Sequence, residues 1–116
     1  MTDDRGQKPE GQRHVPVLVD EVLELLALRE GMTVVDATVG AGELAGRIAE
    51  RIGEQGKLLG IDRDPQMLEV AAERLGAYPQ VVLEQSTFSR LREVAAKHDI
   101  GVVDAIILDL GLNSIQ

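Results

Sequence analysis

The sequence predicts an α/β fold, a parallel sheet of about four strands with helices on both faces. Short runs rich in aliphatic and β-branched residues occur four times. Amphipathic segments at helical spacing separate them, and glycine or proline stands at most of the joins. Strands alternating one for one with segments of that length demand crossover connections, which only a parallel sheet provides.

Each element has a local reason. Residues 1–13 carry Met1 and no other apolar side chain, which reads as a disordered tail, so the ordered domain is expected over 14–116. Leu18, Val22, Leu25 and Leu26 then recur at helical spacing opposite Asp20, Glu21 and Glu24, predicting a helix from Pro16 to Leu28. Thr33–Thr38 is a β-branched run expected to be a buried strand. Gly40, Ala41 and Gly42 form a loop, after which Leu44, Ile48 and Ile52 predict a second helix closed by Gly53 and Gly56. Lys57–Asp62 is the second strand. Asp64 is placed to cap a third helix with Pro65 at its first position, and Gly76 to stop it. Gln80–Gln85 reads as a third strand. Ser89 or a neighbour is expected to cap a fourth helix reaching His98, a residue read as structural at the negative end of the helix dipole. Val103–Asp109 is the fourth and most apolar strand. A doubly wound sheet continues beyond four strands, so the pattern corresponds to its first half. Ending on its most apolar strand, such a sheet is expected to present an edge prone to self-association.

Composition narrows the chemistry. The 116 residues hold 12 Lys plus Arg against 20 Asp plus Glu, a net charge of −8, which disfavours a nucleic-acid binder that uses its whole surface. Absence of cysteine excludes a disulfide scaffold, a thiolate metal site and a cysteine nucleophile, and no metal site is expected. There is no run of bilayer length and no secretory signal pattern, so a cytoplasmic location is expected.

In an open α/β sheet, ligands bind beyond the carboxyl ends of the strands. Asp36 to Ala45 follows the first strand and contains G-x-G-x-x-A. Gly40 would allow the tight turn, Gly42 would let a ligand approach the backbone, and Ala45 would let the helix pack on the strand. Asp62, 20 residues beyond Gly42, ends the second strand, where a carboxylate can accept from both hydroxyls of a ribose. Strand, glycine loop, helix, strand and acid in this order point to a nucleoside cofactor. Asp36 and Glu43 beside the loop, and Asp109 at the end of the fourth strand, would repel a pyrophosphate. S-adenosylmethionine carries an ammonium and a sulfonium instead, so the charges favour it over NAD. Asp36 can equally serve its own loop by accepting from backbone N–H groups.

Four segments carry a resemblance: His14 to Leu18, Asp36 to Gly42, Gly60 to Pro65, and Asp104 to Gly111. In this order they resemble the bacterial methyltransferase family that modifies N4 of a cytidine in the 16S RNA of the small ribosomal subunit. The resemblance implies a Rossmann-like, doubly wound sheet of the class I methyltransferase type, with S-adenosylmethionine as cofactor. It implies cofactor contacts at Gly42, Glu43, Leu44, Asp62, Phe88, Asp109 and Gln116. Phe88 would pack beside adenine, and Asp109 would accept from an ammonium or from the target amine.

This chain departs from the family pattern in places. Gly42-Glu43-Leu44 stands where the family usually has Gly-Gly-His, and Asn113-Ser114-Ile115-Gln116 where it has Ser-Ser-Pro-Gln. Family members also continue into further sheet and an RNA-associated helical region. Methyl transfer to an exocyclic amine needs positioning and acceptors for the amine's protons, roles open to Asp109, with Asn113 holding the base. One Phe, one Tyr and scattered Arg provide poorly for ribosomal RNA, so little or no catalysis is expected from these residues alone. The rival readings are a degenerate, non-enzymatic remnant that binds a nucleotide or a partner, and an NAD-dependent oxidoreductase.

Overall fold

A computed structural model describes residues 14–108. The stretch 1–13 lies outside the described residues, as do Asp109, Asn113 and Gln116. The elements in chain order are α1 (His14–Leu26), β1 (Thr33–Asp36), α2 (Glu43–Ile52), β2 (Lys57–Asp62), α3 (Pro65–Arg74), β3 (Val81–Gln85), α4 (Leu91–Lys97) and β4 (Ala105–Ile107). A 3₁₀ turn, Phe88–Arg90, leads into α4.

All pairings are parallel and the strand order is β3-β2-β1-β4. The chain steps outward from β1 to β3, then returns to place β4 on the other side of β1. That reversal makes the carboxyl ends of β1 and β4 a switch point, where an open sheet leaves a crevice.

Side chains alternate across a strand, so neighbouring apolar residues enter different cores. Val34 and Leu58 face Leu23 of α1, Ile48 and Ile52 of α2, and Leu75 just beyond α3. Val35, Leu59 and Ile61 face Val94 of α4 and Ile100. Double-sided burial is why β1 and β2 read as continuous apolar runs.

Several boundaries differ from the sequence expectation. The first helix ends at Leu26 rather than Leu28, because Ala27 turns into the left-handed region at φ 51°. Its buried stripe runs through Val19 and Leu23, and Leu25, expected on the apolar face, is 85% exposed. Strand β1 stops at Asp36, short of Thr38, once the chain turns into the glycine loop. Asp64 does cap α3, its Oδ1 accepting from the Gln66 amide at 2.9 Å with Pro65 next in line. Ser89 caps nothing. Its hydroxyl lies 2.9 Å from Thr87 Oγ1, and neither the 3₁₀ turn nor α4 has a side-chain cap. Strand β4 is shorter than Val103–Asp109. Asp104 fixes its start by giving its amide to the Thr33 carbonyl at 2.7 Å while its Oδ2 accepts from the Thr33 amide at 2.8 Å.

Among the described residues β4 has no strand on its outer side, and Ile106 is 50% exposed. No described helix is long and apolar enough to cross a membrane.

Candidate functional site

The carboxyl ends of β1, β2 and β3 are held together by a short network. Beyond β1 the Ala37 amide donates to the Ile107 carbonyl of β4 at 2.8 Å, and the Val39 amide to the Ile61 carbonyl of β2 at 2.8 Å. The glycine loop therefore hangs from both neighbouring strands. Asp36 is buried, and its Oδ1 accepts from the Thr38 amide at 3.2 Å, the loop-serving role open to it from the sequence.

Asp62 ends β2 and is half-buried. Its Oδ2 accepts from the Gly40 amide at 2.9 Å and its Oδ1 from the Asp64 amide at 3.0 Å. Its carbonyl accepts from the Ser86 amide beyond β3 at 3.0 Å. One residue thus touches the glycine loop, the start of α3 and the end of β3. Each carboxylate oxygen keeps further acceptor capacity, which a vicinal diol could use.

The two loop glycines are required for different reasons. Gly40 has φ 56°, and a Cβ built there meets nothing within 4 Å, so its outer side is open. Gly42 has φ 93°, but a Cβ there would meet Leu75 Cδ1 at 3.2 Å and Ala71 Cα at 3.3 Å. The two glycines therefore differ in which side of the loop a side chain would occupy. The space over the Gly42 α-carbon belongs to α3, and the open position is Gly40.

Glu43 and Leu44 replace the residues usual in the family, yet neither side chain is aimed across the loop. Glu43 is exposed and turns toward α3, with Oε1 3.9 Å from Arg74 Nη1. Leu44 packs against the core between the sheet and α1, α2 and α3. Phe88 opens the 3₁₀ turn beyond β3 and is 49% exposed. It also lines a cavity of about 790 Å³ on the α4 side, together with Leu91, Ile100 and Val103. That cavity includes neither Gly40 nor Asp62, so it is a separate feature. The structure brings Asp36, Gly40 and Asp62 to one end of the sheet, and Phe88 stands at the end of β3. Asp109, Asn113 and Gln116 fall outside the described residues. Sequence reasoning missed Ala71, Leu75 and Arg74, which shape the loop from α3. Only the small side chain of Ala71 hinted at a close approach.

His98 is structural, as expected. Its Nε2 lies 2.7 Å from Glu84 Oε1 on β3, while Lys97 Nζ lies 2.8 Å from Glu84 Oε2. The hydrogen bond from Lys97, then that from His98, holds the Glu84 carboxyl below its ordinary range despite some desolvation. A carboxyl whose pKa is lower in the folded state stabilises the fold above its unfolded pKa. That contribution is lost as pH falls through the folded value. Glu84→Gln is expected to flatten the acid side of the stability curve, so the gap in thermal midpoint between about pH 7 and about pH 3 narrows in a pH-stepped melt.

Comparison with known proteins places this geometry. The MraW methylase family model matches residues 11–116. The chain belongs to the MraW methylase family. Among its relatives, the ribosomal RNA small subunit methyltransferase H of Symbiobacterium thermophilum is 38% identical over 104 residues, covering 89% of this chain and 33% of that protein. The protein of the same name from Trichlorobacter lovleyi is 42% identical over 104 residues, again covering 89% of this chain and 33% of its own length. This MraW-family chain therefore spans about a third of the length of the curated relatives it matches.

Solved structures agree on the fold. A SAM-dependent methyltransferase from Aquifex aeolicus is 33% identical with a TM-score of 0.54, over 59% of this chain and 37% of that one. Aeropyrum pernix fibrillarin, solved with natively bound S-adenosyl-L-methionine, gives a TM-score of 0.63 over 78% of this chain and 40% of that one. At 17% identity that likeness concerns the fold alone. The sheet is the Rossmann-like one of class I methyltransferases, in the part described here.

Proposed function

We propose that this MraW-family chain forms the S-adenosylmethionine-binding part of a cytoplasmic enzyme that methylates N4 of a cytidine in small-subunit ribosomal RNA. The observation that carries this reading is the meeting of Gly40 and Asp62, an open glycine turn beside a carboxylate with acceptor capacity to spare. The residues fit the cofactor's chemistry. Gly40 admits a ligand to the backbone, and Asp62 is set to accept from the ribose hydroxyls. Phe88 offers an exposed ring to adenine. Asp36 and Asp62 make the surroundings acidic, which suits an ammonium and a sulfonium and opposes a pyrophosphate.

When bound, S-adenosylmethionine supplies an electrophilic methyl group. The protein's part is to orient the reactants and to hold protons. Asp109 accepts from the target amine or the cofactor's ammonium, and Asn113 holds the base, both on the segment that leaves β4. Glu43 and Leu44 gave one of two reasons to read the chain as a non-binding remnant, by filling the loop, the other being the truncated sheet. Their engagement with Arg74 and with the core removes the first reason. Titration calorimetry with S-adenosylmethionine, S-adenosylhomocysteine and NAD tests the reading. Binding of the two sulfur nucleosides and not of NAD is expected. Binding of NAD alone would replace the methyltransferase reading with an oxidoreductase, and no binding would favour the remnant.

A further inference from the structure

The glycine loop has little packing to hold its shape where it matters most. Gly40 sits at φ 56° with open space where a side chain would be, so no neighbour's van der Waals contact restrains it on that side. A glycine in that setting samples many backbone conformations. Three hydrogen bonds oppose this: Val39 amide to Ile61 carbonyl at 2.8 Å, Gly42 amide to Val39 carbonyl at 3.0 Å, and Gly40 amide to Asp62 Oδ2 at 2.9 Å. The last comes from a charged acceptor, the stronger kind. The acceptor is itself fixed, because Asp62 Oδ1 is engaged by the Asp64 amide at 3.0 Å and the Asp62 carbonyl by the Ser86 amide at 3.0 Å.

We propose that Asp62 is a positioning residue as well as a ligand-binding one, its carboxylate bracing the Gly40 turn into its binding shape before any nucleoside arrives. The inference rests on the cofactor reading for its purpose, but the brace itself concerns the free chain. Both of its partners are N–H donors. A carboxylate can satisfy two donors with two acceptor oxygens, whereas an asparagine of the same shape has one acceptor oxygen and an NH₂ group. Asp62→Asn must therefore set a donor against a donor at Gly40 or at Asp64.

Amide hydrogen exchange on the ligand-free chain tests this. In Asp62→Asn, exchange at Gly40, Asp64 or both should quicken by about tenfold, while the core amides of Val35 and Leu59 keep their wild-type rates. A role confined to the ligand would leave the Gly40 and Asp64 amides unchanged, and that result would overturn the brace. In the unsubstituted chain, a scalar coupling across the hydrogen bond from Gly40 N to Asp62 Cγ is a second readout that needs no variant. Its absence under conditions where the Val39–Ile61 coupling is seen would also count against the proposal.

The link to binding has its own measurement, using 5′-methylthioadenosine and its 2′,3′-dideoxy analogue. A brace makes Asp62→Asn weaken both nucleosides by several-fold, because the loop is lost to each. Pure diol recognition would leave the dideoxy analogue indifferent to the substitution, contradicting a positioning role. Quickened exchange in a chain whose wild type binds neither nucleoside would uphold the brace and remove the cofactor reading.

Discussion

Gly42→Val is expected to destabilise the chain by about 2–5 kcal/mol, the sum of left-handed backbone strain and overpacking. The strain arises because Gly42 holds φ 93°, where a β-branched residue is especially unfavourable. Overpacking follows because α3 fills the space, with Leu75 Cδ1 at 3.2 Å and Ala71 Cα at 3.3 Å from a Cβ at that position. Leucine can shift, but the α3 backbone moves only with the whole helix. Gly40→Ala is the contrast. It meets nothing within 4 Å and carries strain alone, about 1–2 kcal/mol. Urea denaturation of the two variants separates these costs. Equal losses would mean that the glycine loop and α3 are not in contact as described.

Leu58→Ala is the second large loss, about 2–5 kcal/mol by urea denaturation. Leu58 is fully buried in β2, between Val34 on β1 and Val81 on β3, and it faces the larger core. Truncation there opens a cavity that neighbours on both sides are too constrained to fill. Ile106, on β4 at the edge of the sheet among the described residues and 50% exposed, behaves differently. We propose that this edge supports self-association, and Ile106→Lys tests it. The substitution should cost less than about 1 kcal/mol and shift any oligomer seen by light scattering toward monomer. A wild-type chain that stays monomeric at high concentration would contradict the edge proposal.

How much of this was legible in the sequence follows from range. Lys57–Asp62 is both the expected and the observed strand, because its interior, Leu58 to Ile61, is buried on both faces and carries no polar side chain, while Lys57 and Asp62 mark its ends. Asp64 and Pro65 announced the start of α3 for a reason confined to three residues. Helix α1 was misjudged at its end because nothing in the order of its apolar residues says that Ala27 turns left-handed. Strand β4 was overestimated for a related reason. Its apolar run is longer than the part that finds a partner, and pairing with β1 covers only Ala105–Ile107.

At the site, the sequence located Asp36, Gly40 and Asp62 through their order along the chain. It could not say which glycine faces outward. That depends on where α3 packs, a contact between residues some thirty positions apart, and Ala71 carries no signal of it beyond its size. The link from Asp62 to Gly40 was hidden likewise, since a carboxylate at a strand end looks the same whether it serves a ligand or the neighbouring loop.

A sulfur-containing nucleoside is expected beyond the carboxyl ends of β1 and β2, over Gly40 and against Asp62. Amide shift mapping with S-adenosylhomocysteine tests this placement most directly. The largest changes are expected on Gly40, on Asp62 to Asp64, and on Ser86 to Phe88. Changes centred instead on Ala96, Ile100 and Gly101, which line the cavity beside α4, would place the ligand elsewhere and contradict that placement.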